Sequence, residues 1–151
     1  MKRIFLILFL LESICFSGVR SEKYTGFDIG FGQPLPSFVG AMVGLNASDL
    51  VRFSLGLGTL VNWVTYQADI KVFLFTTSFT PYMGGGFNMI RGRPGDYLGR
   101  DLEISSTNAA FLEGGLDYTA DSGFHTSANI GFCYADGTSF VLPGLAFGWY
   151  F

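Results

Sequence analysis

The stretch that decides the fold is Ser139–Phe151, with the sequence SFVLPGLAFGWYF. Successive side chains of a β-strand point to opposite faces. Read in steps of two, one face of this stretch carries the large apolar residues Leu145, Phe147, Trp149 and Phe151. The opposite face is small except for Tyr150, and neither face carries a charge, unlike the edge strand of a soluble sheet. The stretch is therefore predicted to be a strand whose large face packs in a core or contacts lipid.

The composition of the chain favours lipid. Charged residues make up 14% of the 151 residues, whereas soluble domains have about 25%. No apolar run beyond the N-terminus approaches the ~20 residues that a transmembrane helix needs. A closed β-barrel is the other structure that satisfies its backbone hydrogen bonds inside lipid. The length allows one such domain, and the net charge of −3 gives no sign of a nucleic-acid partner. The sequence has no metal-ligand cluster or phosphate-binding loop, so it predicts no metal and no cofactor.

The N-terminus has the layout of a secretory signal peptide, with basic residues, an apolar run and small residues at Lys2, Arg3, Ile4–Leu11 and Cys15–Ser17. We expect residues 1–20 to contain the signal, cleavage near Ser17, and a barrel domain over residues 21–151. A membrane anchor is an alternative, but the apolar run is too short to span a bilayer. A lipoprotein with Cys15 as the lipidated residue is a second alternative, and the residues before Cys15 fit it poorly. After cleavage Cys133 is the only cysteine left, so an internal disulfide is excluded.

Eight segments of alternating character follow, separated by residues that favour turns. The predicted strands are about Tyr24–Gly32, Phe38–Leu45, Leu50–Gly58, Tyr66–Phe75, Phe79–Met89, Asn108–Thr119, Phe124–Ala135 and Ser139–Phe151. The predicted connections are Gln33–Ser37, Asn46–Asp49, Thr59–Thr65, Thr76–Ser78, Ile90–Thr107, Ala120–Gly123 and Asp136–Thr138. This pattern predicts an all-β fold, an eight-stranded antiparallel up-and-down transmembrane β-barrel.

The two faces of these strands indicate which side meets lipid. One face is almost wholly apolar, whereas the other combines many glycines with the polar set Asp28, Arg52, Asp69, Lys71, Glu113, Asp117 and His125. A soluble ligand carrier would expose this glycine-rich face to water, where glycine weakens strands. Inside a narrow barrel, glycine instead makes room for long side chains. We therefore expect lipid outside and a polar network in the lumen, with its charges paired because unpaired buried charges are costly. A proton or ion path through the network is the alternative.

The connections also predict an orientation. Short turns at one end and longer loops at the other are typical of bacterial barrels, so Ile90–Thr107 is expected to be an external loop. We expect a solvated charged loop, because three acidic residues of the loop offset its arginines. The alternative hypothesis is that Arg91, Arg93 and Arg100 contact lipopolysaccharide phosphates, since guanidinium groups match phosphate geometry.

With an export signal, eight alternating strands and a last strand that ends in aromatics, the chain resembles small bacterial outer-membrane barrels of the OmpA-transmembrane-domain and OmpX/Ail type. The resemblance implies residence in the outer membrane of a Gram-negative cell. It also implies that Phe147, Trp149 and Phe151 form the signal that the barrel-assembly machinery reads during insertion.

The resulting functional prediction is a non-enzymatic integral outer-membrane protein that stabilises the membrane or presents Ile90–Thr107 to a partner. A lipid-modifying enzyme is one alternative, because His125-Thr126-Ser127 is similar to the His-x-Ser motif of lipid A deacylases, in which serine attacks an ester after histidine takes its proton. On the parity of its strand, however, His125 and Ser127 face the lumen, away from acyl chains, so we expect no catalytic pair. A small pore is the other alternative, disfavoured by the narrow lumen of eight strands.

Overall fold

The chain forms a closed antiparallel β-barrel in this computed structural model, which describes residues 18–60, 63–92, 95–97, 100–102 and 106–151. The eight barrel strands are β1 (Thr25–Phe31), β2 (Val39–Ser48), β3 (Val51–Leu60), β4 (Trp63–Phe73), β5 (Phe79–Gly92), β8 (Thr107–Thr119), β9 (Phe124–Ala135) and β10 (Thr138–Tyr150). Two short strands, β6 (Gly95–Tyr97) and β7 (Arg100–Leu102), pair with each other between β5 and β8. Consecutive barrel strands are neighbours, and β1 pairs with β10 to close the barrel, which confirms the predicted fold. Across the described ranges, no helix is long and apolar enough to cross a membrane.

The two ends of the barrel differ. We call the end that holds residues 49–50, 74–78 and 120–123 the turn end; Tyr24 and Phe151 lie there too. We call the opposite end, which holds residues 32–38, 136–137 and the connection from β5 to β8, the loop end. The connection from β3 to β4 at the loop end falls on residues 61–62, outside the described residues.

Several strands run further than the sequence predicted. β2 continues through the predicted turn to Ser48, with a register shift between Asn46 and Ser48. The predicted loop Thr59–Thr65 is mostly strand, because Leu60 still pairs with Trp63. β5 likewise runs past the predicted Met89 to Gly92, and β8 begins at Thr107, whereas β4 ends at Phe73 instead of Phe75. Continued pairing supplies partners to backbone groups that would otherwise need water, and turn-forming residues alone do not reveal it.

The alternation along the strands places apolar side chains outside and polar ones inside. On β8, Leu112 is 68% exposed, whereas its neighbours Phe111 and Glu113 are 3% and 5% exposed. The same inversion runs around the barrel, where Phe87 on β5 is 75% exposed beside buried Asn88. The outer surface is therefore the apolar face, and the charged side chains that the sequence analysis grouped together are buried.

The loop end of the lumen is filled by residues 33–37, which fold inward instead of forming only a surface turn. The backbone N–H of Leu35 donates to Gln67 Oε1 at 2.7 Å, and Thr65 Oγ1 donates to the carbonyl oxygen of Pro36 at 2.7 Å. The fully buried Leu35 packs in an apolar cluster with Ile90, Ala109, Phe111 and Cys133. A Cβ at Gly131 would overlap the Leu35 side chain, so glycine is needed opposite this plug.

Candidate functional site: an ion-pair network in the lumen

The candidate site lies in the half of the lumen nearest the turn end, and Asp117 is its centre. Inward-facing positions of different strands converge here, since β3 contributes Arg52, β8 contributes Asp117 and β9 contributes His125. Asp117 Oδ2 lies 3.2 Å from Arg52 Nη1 and 2.6 Å from His125 Nε2. Asp117 Oδ1 lies 2.7 Å from Arg20 Nη2. One buried carboxylate therefore holds three nitrogen donors from three parts of the chain.

His125 links Asp117 to a second carboxylate. Its Nδ1 lies 2.6 Å from Asp28 Oδ1, and Tyr150 Oη donates to Asp28 Oδ2 at 3.0 Å. The Tyr150 ring packs edge-on against the imidazole, and the Arg52 guanidinium lies 4.2 Å from the centroid of the Tyr150 ring. His125 Nε2 also lies 2.9 Å from Arg52 Nη1, so this ring nitrogen contacts both a donor and the Asp117 carboxylate. The imidazole thus bridges β1 and β8 across the lumen.

A second group of ions lies further toward the loop end. Lys71 Nζ is 3.4 Å from Glu113 Oε1, and Asn129 Nδ2 donates to Glu113 Oε2. Asp69 Oδ2 accepts from Gln67 Nε2 at 2.6 Å. These contacts join Lys71 of β4 to Glu113 of β8, whereas Asp69, the next inward residue of β4, bonds to Gln67 on the same strand.

The sequence analysis missed Arg20, which it grouped with the signal peptide. The Arg20 side chain is fully buried in the lumen, and its guanidinium donates to the carbonyl oxygens of Thr77 and Ser78 at 2.8 and 3.3 Å, as well as to Asp117. The guanidinium also lies 4.3 Å from the centroid of the Phe73 ring. One signal of its presence was available, because four lumenal carboxylates faced only two permanent cations. Arg20 supplies a third.

The geometry of His125 and Ser127 does not form a nucleophile and base. Both nitrogens of His125 are held by Asp28 and Asp117, whereas Ser127 Oγ makes no hydrogen bond with any described residue. Glu113, a carboxylate on the neighbouring strand that could orient such a histidine, instead contacts Lys71 and Asn129. A serine nucleophile needs a base within hydrogen-bonding distance. The arrangement can instead hold charges in place and stabilise the lumen.

The outward residues of the last strand lie along the closure of the barrel. Trp149 pairs in register with Phe27 and Phe147 with Ile29, both on β1. Beyond β10, the backbone N–H of Phe151 donates to the carbonyl oxygen of Thr25 at 2.7 Å. The Phe151 ring lies 6.5 Å from that of Phe27, between centroids. The three residues predicted to guide assembly therefore cover the β1–β10 junction on its outer side.

The hypothesised lipopolysaccharide contacts are described only in part. Arg91 lies near the loop end of β5, on the same outward parity as Met89 and Phe87, and pairs in register with Val64. Arg100 is the first residue of β7, and Arg93 lies outside the described residues.

Comparison with known proteins supports the fold. Neither a protein-family model nor a curated protein matches the chain. Among solved structures, the N-terminal β-barrel domain of OprF from Pseudomonas aeruginosa matches with a TM-score of 0.66 and 17% identity, over 84% of this chain and 96% of that one. The outer membrane protein Ail from Yersinia pestis matches with a TM-score of 0.50 and 13% identity, over 85% of this chain and 99% of that one. The chain thus has the fold of small eight-stranded outer-membrane barrels of the OmpA and OmpX/Ail type.

Proposed function

We propose that this protein is a non-enzymatic integral protein of the outer membrane, which stabilises the membrane or presents the segment Ile90–Thr107 to a partner at the cell surface. The observation that carries the proposal is the inversion of the barrel, with large apolar side chains exposed all around it and ion pairs buried inside. An apolar surface of this kind is stable in lipid, whereas exposing so much apolar area to water is unfavourable. The turn end then faces the periplasm, and the loop end faces outward.

The packing of the lumen favours a structural role over a pore. The apolar cluster around Leu35 fills the loop end, and Arg20 enters the turn end. Between them the inward side chains are almost completely inaccessible, including Lys71 and Glu113 at 2% and 5% exposure. A conducting pore of this diameter would need these groups to separate.

Location is tested by fractionation. We expect the protein to sediment with outer membranes, to resist alkaline extraction, and to migrate differently on gels with and without boiling, because a closed hydrogen-bonded barrel resists detergent. Recovery as a soluble periplasmic monomer would contradict lipid contact and favour a ligand carrier.

Arg91 supports a contact with lipopolysaccharide, which we propose together with Arg93 and Arg100. Its outward parity near the loop end supports this proposal, because a long basic side chain there would extend toward the headgroups. We expect Arg91→Gln to weaken binding of the folded barrel to lipopolysaccharide vesicles about fivefold, or ~1 kcal/mol, the effect of one basic residue near an anionic surface. Lys23→Gln, at the turn end, is the matched control and is expected to bind normally. Equal binding by both variants would favour a solvated charged loop.

The barrel-assembly machinery is the partner that we propose for Phe147, Trp149 and Phe151. Deleting Phe151 removes the backbone pairing with Thr25 and the ring contact with Phe27, so we expect a several-fold lower yield of inserted barrel in cells. Tyr150→Phe is the control, because it keeps the shape of the adjacent lumenal side chain and loses only its bond to Asp28. The assembly role is excluded if the deletion and the wild type insert equally well.

A further inference from the structure

The segment from Gly18 to Lys23 is bound at the turn end by the short turn between β2 and β3. Asp49 Oδ2 accepts a hydrogen bond from the Gly18 nitrogen at 2.9 Å, and Asp49 Oδ1 accepts one from the Ser21 N–H at 2.7 Å. Ser21 Oγ in turn donates to the carbonyl oxygen of Gly18 at 2.9 Å. Both oxygens of one carboxylate therefore hold backbone nitrogens of the same short segment.

The position of Gly18 accepts only glycine. Gly18 is buried, and a Cβ on it would lie 2.6 Å from Asp49 Oδ1 and 2.8 Å from Asp49 Cγ. The same Cβ would also overlap the carbonyl oxygen of Thr76 in the next turn. The site is thus shaped around a nitrogen that carries a CH2 group, with Asp49 directed at that nitrogen.

Two residues further on, Arg20 anchors the segment from the other side. Its guanidinium reaches Asp117 inside the lumen at 2.7 Å, so the chain between Asp49 and Asp117 is held at both ends by a carboxylate. The contact with Asp117 is a full ion pair. The contact with Asp49 becomes one only if the Gly18 nitrogen is itself charged.

We propose that Asp49 is the binding site for the N-terminal ammonium group of the processed chain, and that export processing cuts the bond between Ser17 and Gly18. The inference rests on the proposed export to the outer membrane. In the cut, water adds across the peptide bond, so that Ser17 gains a carboxylate and the Gly18 nitrogen gains hydrogens to become an ammonium group. The small residues Cys15 and Ser17 stand at the positions that a signal peptidase requires before its cut.

Processing strengthens the contact that Asp49 already makes. Before the cut, the Gly18 nitrogen is an amide with a single N–H; afterwards it carries three hydrogens and a positive charge. Before the cut the bond is already charge-assisted, because the acceptor is a carboxylate; after the cut the donor is charged as well, and the attraction between opposite charges adds to the hydrogen bond. The cut therefore creates an ion pair at Asp49 that holds Arg20 against Asp117 and fixes the segment across the turn end.

The first test is the intact mass of the protein purified from cells that express the full chain. We expect a chain that begins at Gly18. The second test is the rate at which an amine-reactive reagent labels the N-terminus of the folded barrel at pH 7. A carboxylate partner raises the pKa of the N-terminal ammonium. Only the neutral amine reacts, and raising this pKa by about one lowers the neutral fraction at pH 7 about tenfold. We therefore expect labelling about tenfold slower in the folded wild type than in Asp49→Asn.

Three comparisons make the result decisive. Asp121→Asn changes an exposed acid in another connection of the turn end, and it is expected to label as slowly as the wild type. The urea-unfolded wild type is a reference that does not depend on any variant folding, and it should label about as fast as Asp49→Asn. The labelling rate of the Lys23 side chain, measured in the same samples, should be the same in all of them.

A chain that begins elsewhere, or equal labelling of the folded and unfolded wild type, would overturn the inference. Recovery of the protein outside the outer membrane would instead contradict the proposed function, and the mass and labelling of that material would still decide the present inference.

Discussion

Replacing Asp117 with alanine is expected to lower the free energy of unfolding by about 3–5 kcal/mol, the cost of removing one partner from a buried ion pair. The substitution leaves Arg20, Arg52 and His125 without the carboxylate that they share at 2.7, 3.2 and 2.6 Å. The measurement is a urea titration of the barrel refolded in lipid vesicles. Asp117→Asn keeps the acceptor oxygen but loses the charge, so its loss should be smaller.

Two comparisons assign this effect to the network. Asp121→Ala removes an exposed carboxylate of the turn end and is expected to change stability by less than about 0.5 kcal/mol. Adding Arg20→Ala to Asp117→Ala removes one of the cations that the single variant leaves unpaired. We therefore expect the double variant to lose less than the sum of the two single losses. Wild-type stability in Asp117→Ala would show that the ion pairs make no net contribution.

The fold was predictable because its information is local. The period of two in Ser139–Phe151, and the same alternation in the other strands, specified both the strands and the two faces of the sheet. Glycine on the polar face favoured a narrow lumen over a water-exposed surface, and Asp28, Arg52 and Asp69 of that face are buried in the structure. Strand ends were less accurate. Pairing between Leu60 and Trp63 depends on the neighbouring strand, which residue type alone does not specify.

The inward parity of the strand residues in the network was predictable, but their pairing was not. Parity predicts that Arg52, Asp117 and His125 face inward, yet β3 and β8 are not neighbours in the sheet. Their contact crosses the lumen and depends on the tilt and stagger of the closed barrel, which alternation does not specify. Lys71 and Glu113 also meet across an intervening strand, since Gly84 of β5 lies between them in register.

Residues 33–37 and Arg20, which fill the two ends of the lumen, escaped prediction for a related reason. Residues 33–37 read as a turn because of their prolines, and the apolar Leu35 gave no periodic pattern from which its burial could be inferred. Its position depends on a long-range fit opposite Gly131. Arg20 lies ahead of the first strand, in the range that the sequence analysis assigned to the signal peptide, where a pattern of strands cannot place it. In both cases a side chain from outside the strands enters the lumen: Leu35 fills space, and Arg20 balances charge.

Introducing arginine at Leu112 tests which side of the barrel meets lipid. Leu112 lies near the middle of β8 and is 68% exposed on the apolar face. At the midplane of a bilayer, arginine on the lipid face lowers stability by about 2–4 kcal/mol, whereas near the interface the loss is about 0–1 kcal/mol. We therefore expect Leu112→Arg to lower the free energy of unfolding in lipid vesicles by about 2–4 kcal/mol. Thr138→Arg, at the exposed rim where β10 begins and away from the lipid face, should change it by less than about 0.5 kcal/mol.

The outcome separates two barrels that share one pattern of alternation. In a water-soluble barrel, a side chain as exposed as Leu112 contacts solvent, and surface substitutions usually change stability by less than about 0.5 kcal/mol. Leu112→Arg and Thr138→Arg would then be indistinguishable, and lipid contact would be refuted even though the fold was correct. A loss confined to Leu112→Arg reports contact with the bilayer. Charged side chains near the middle of the barrel are then expected in the lumen, where they are paired, because on the outer face they lower stability.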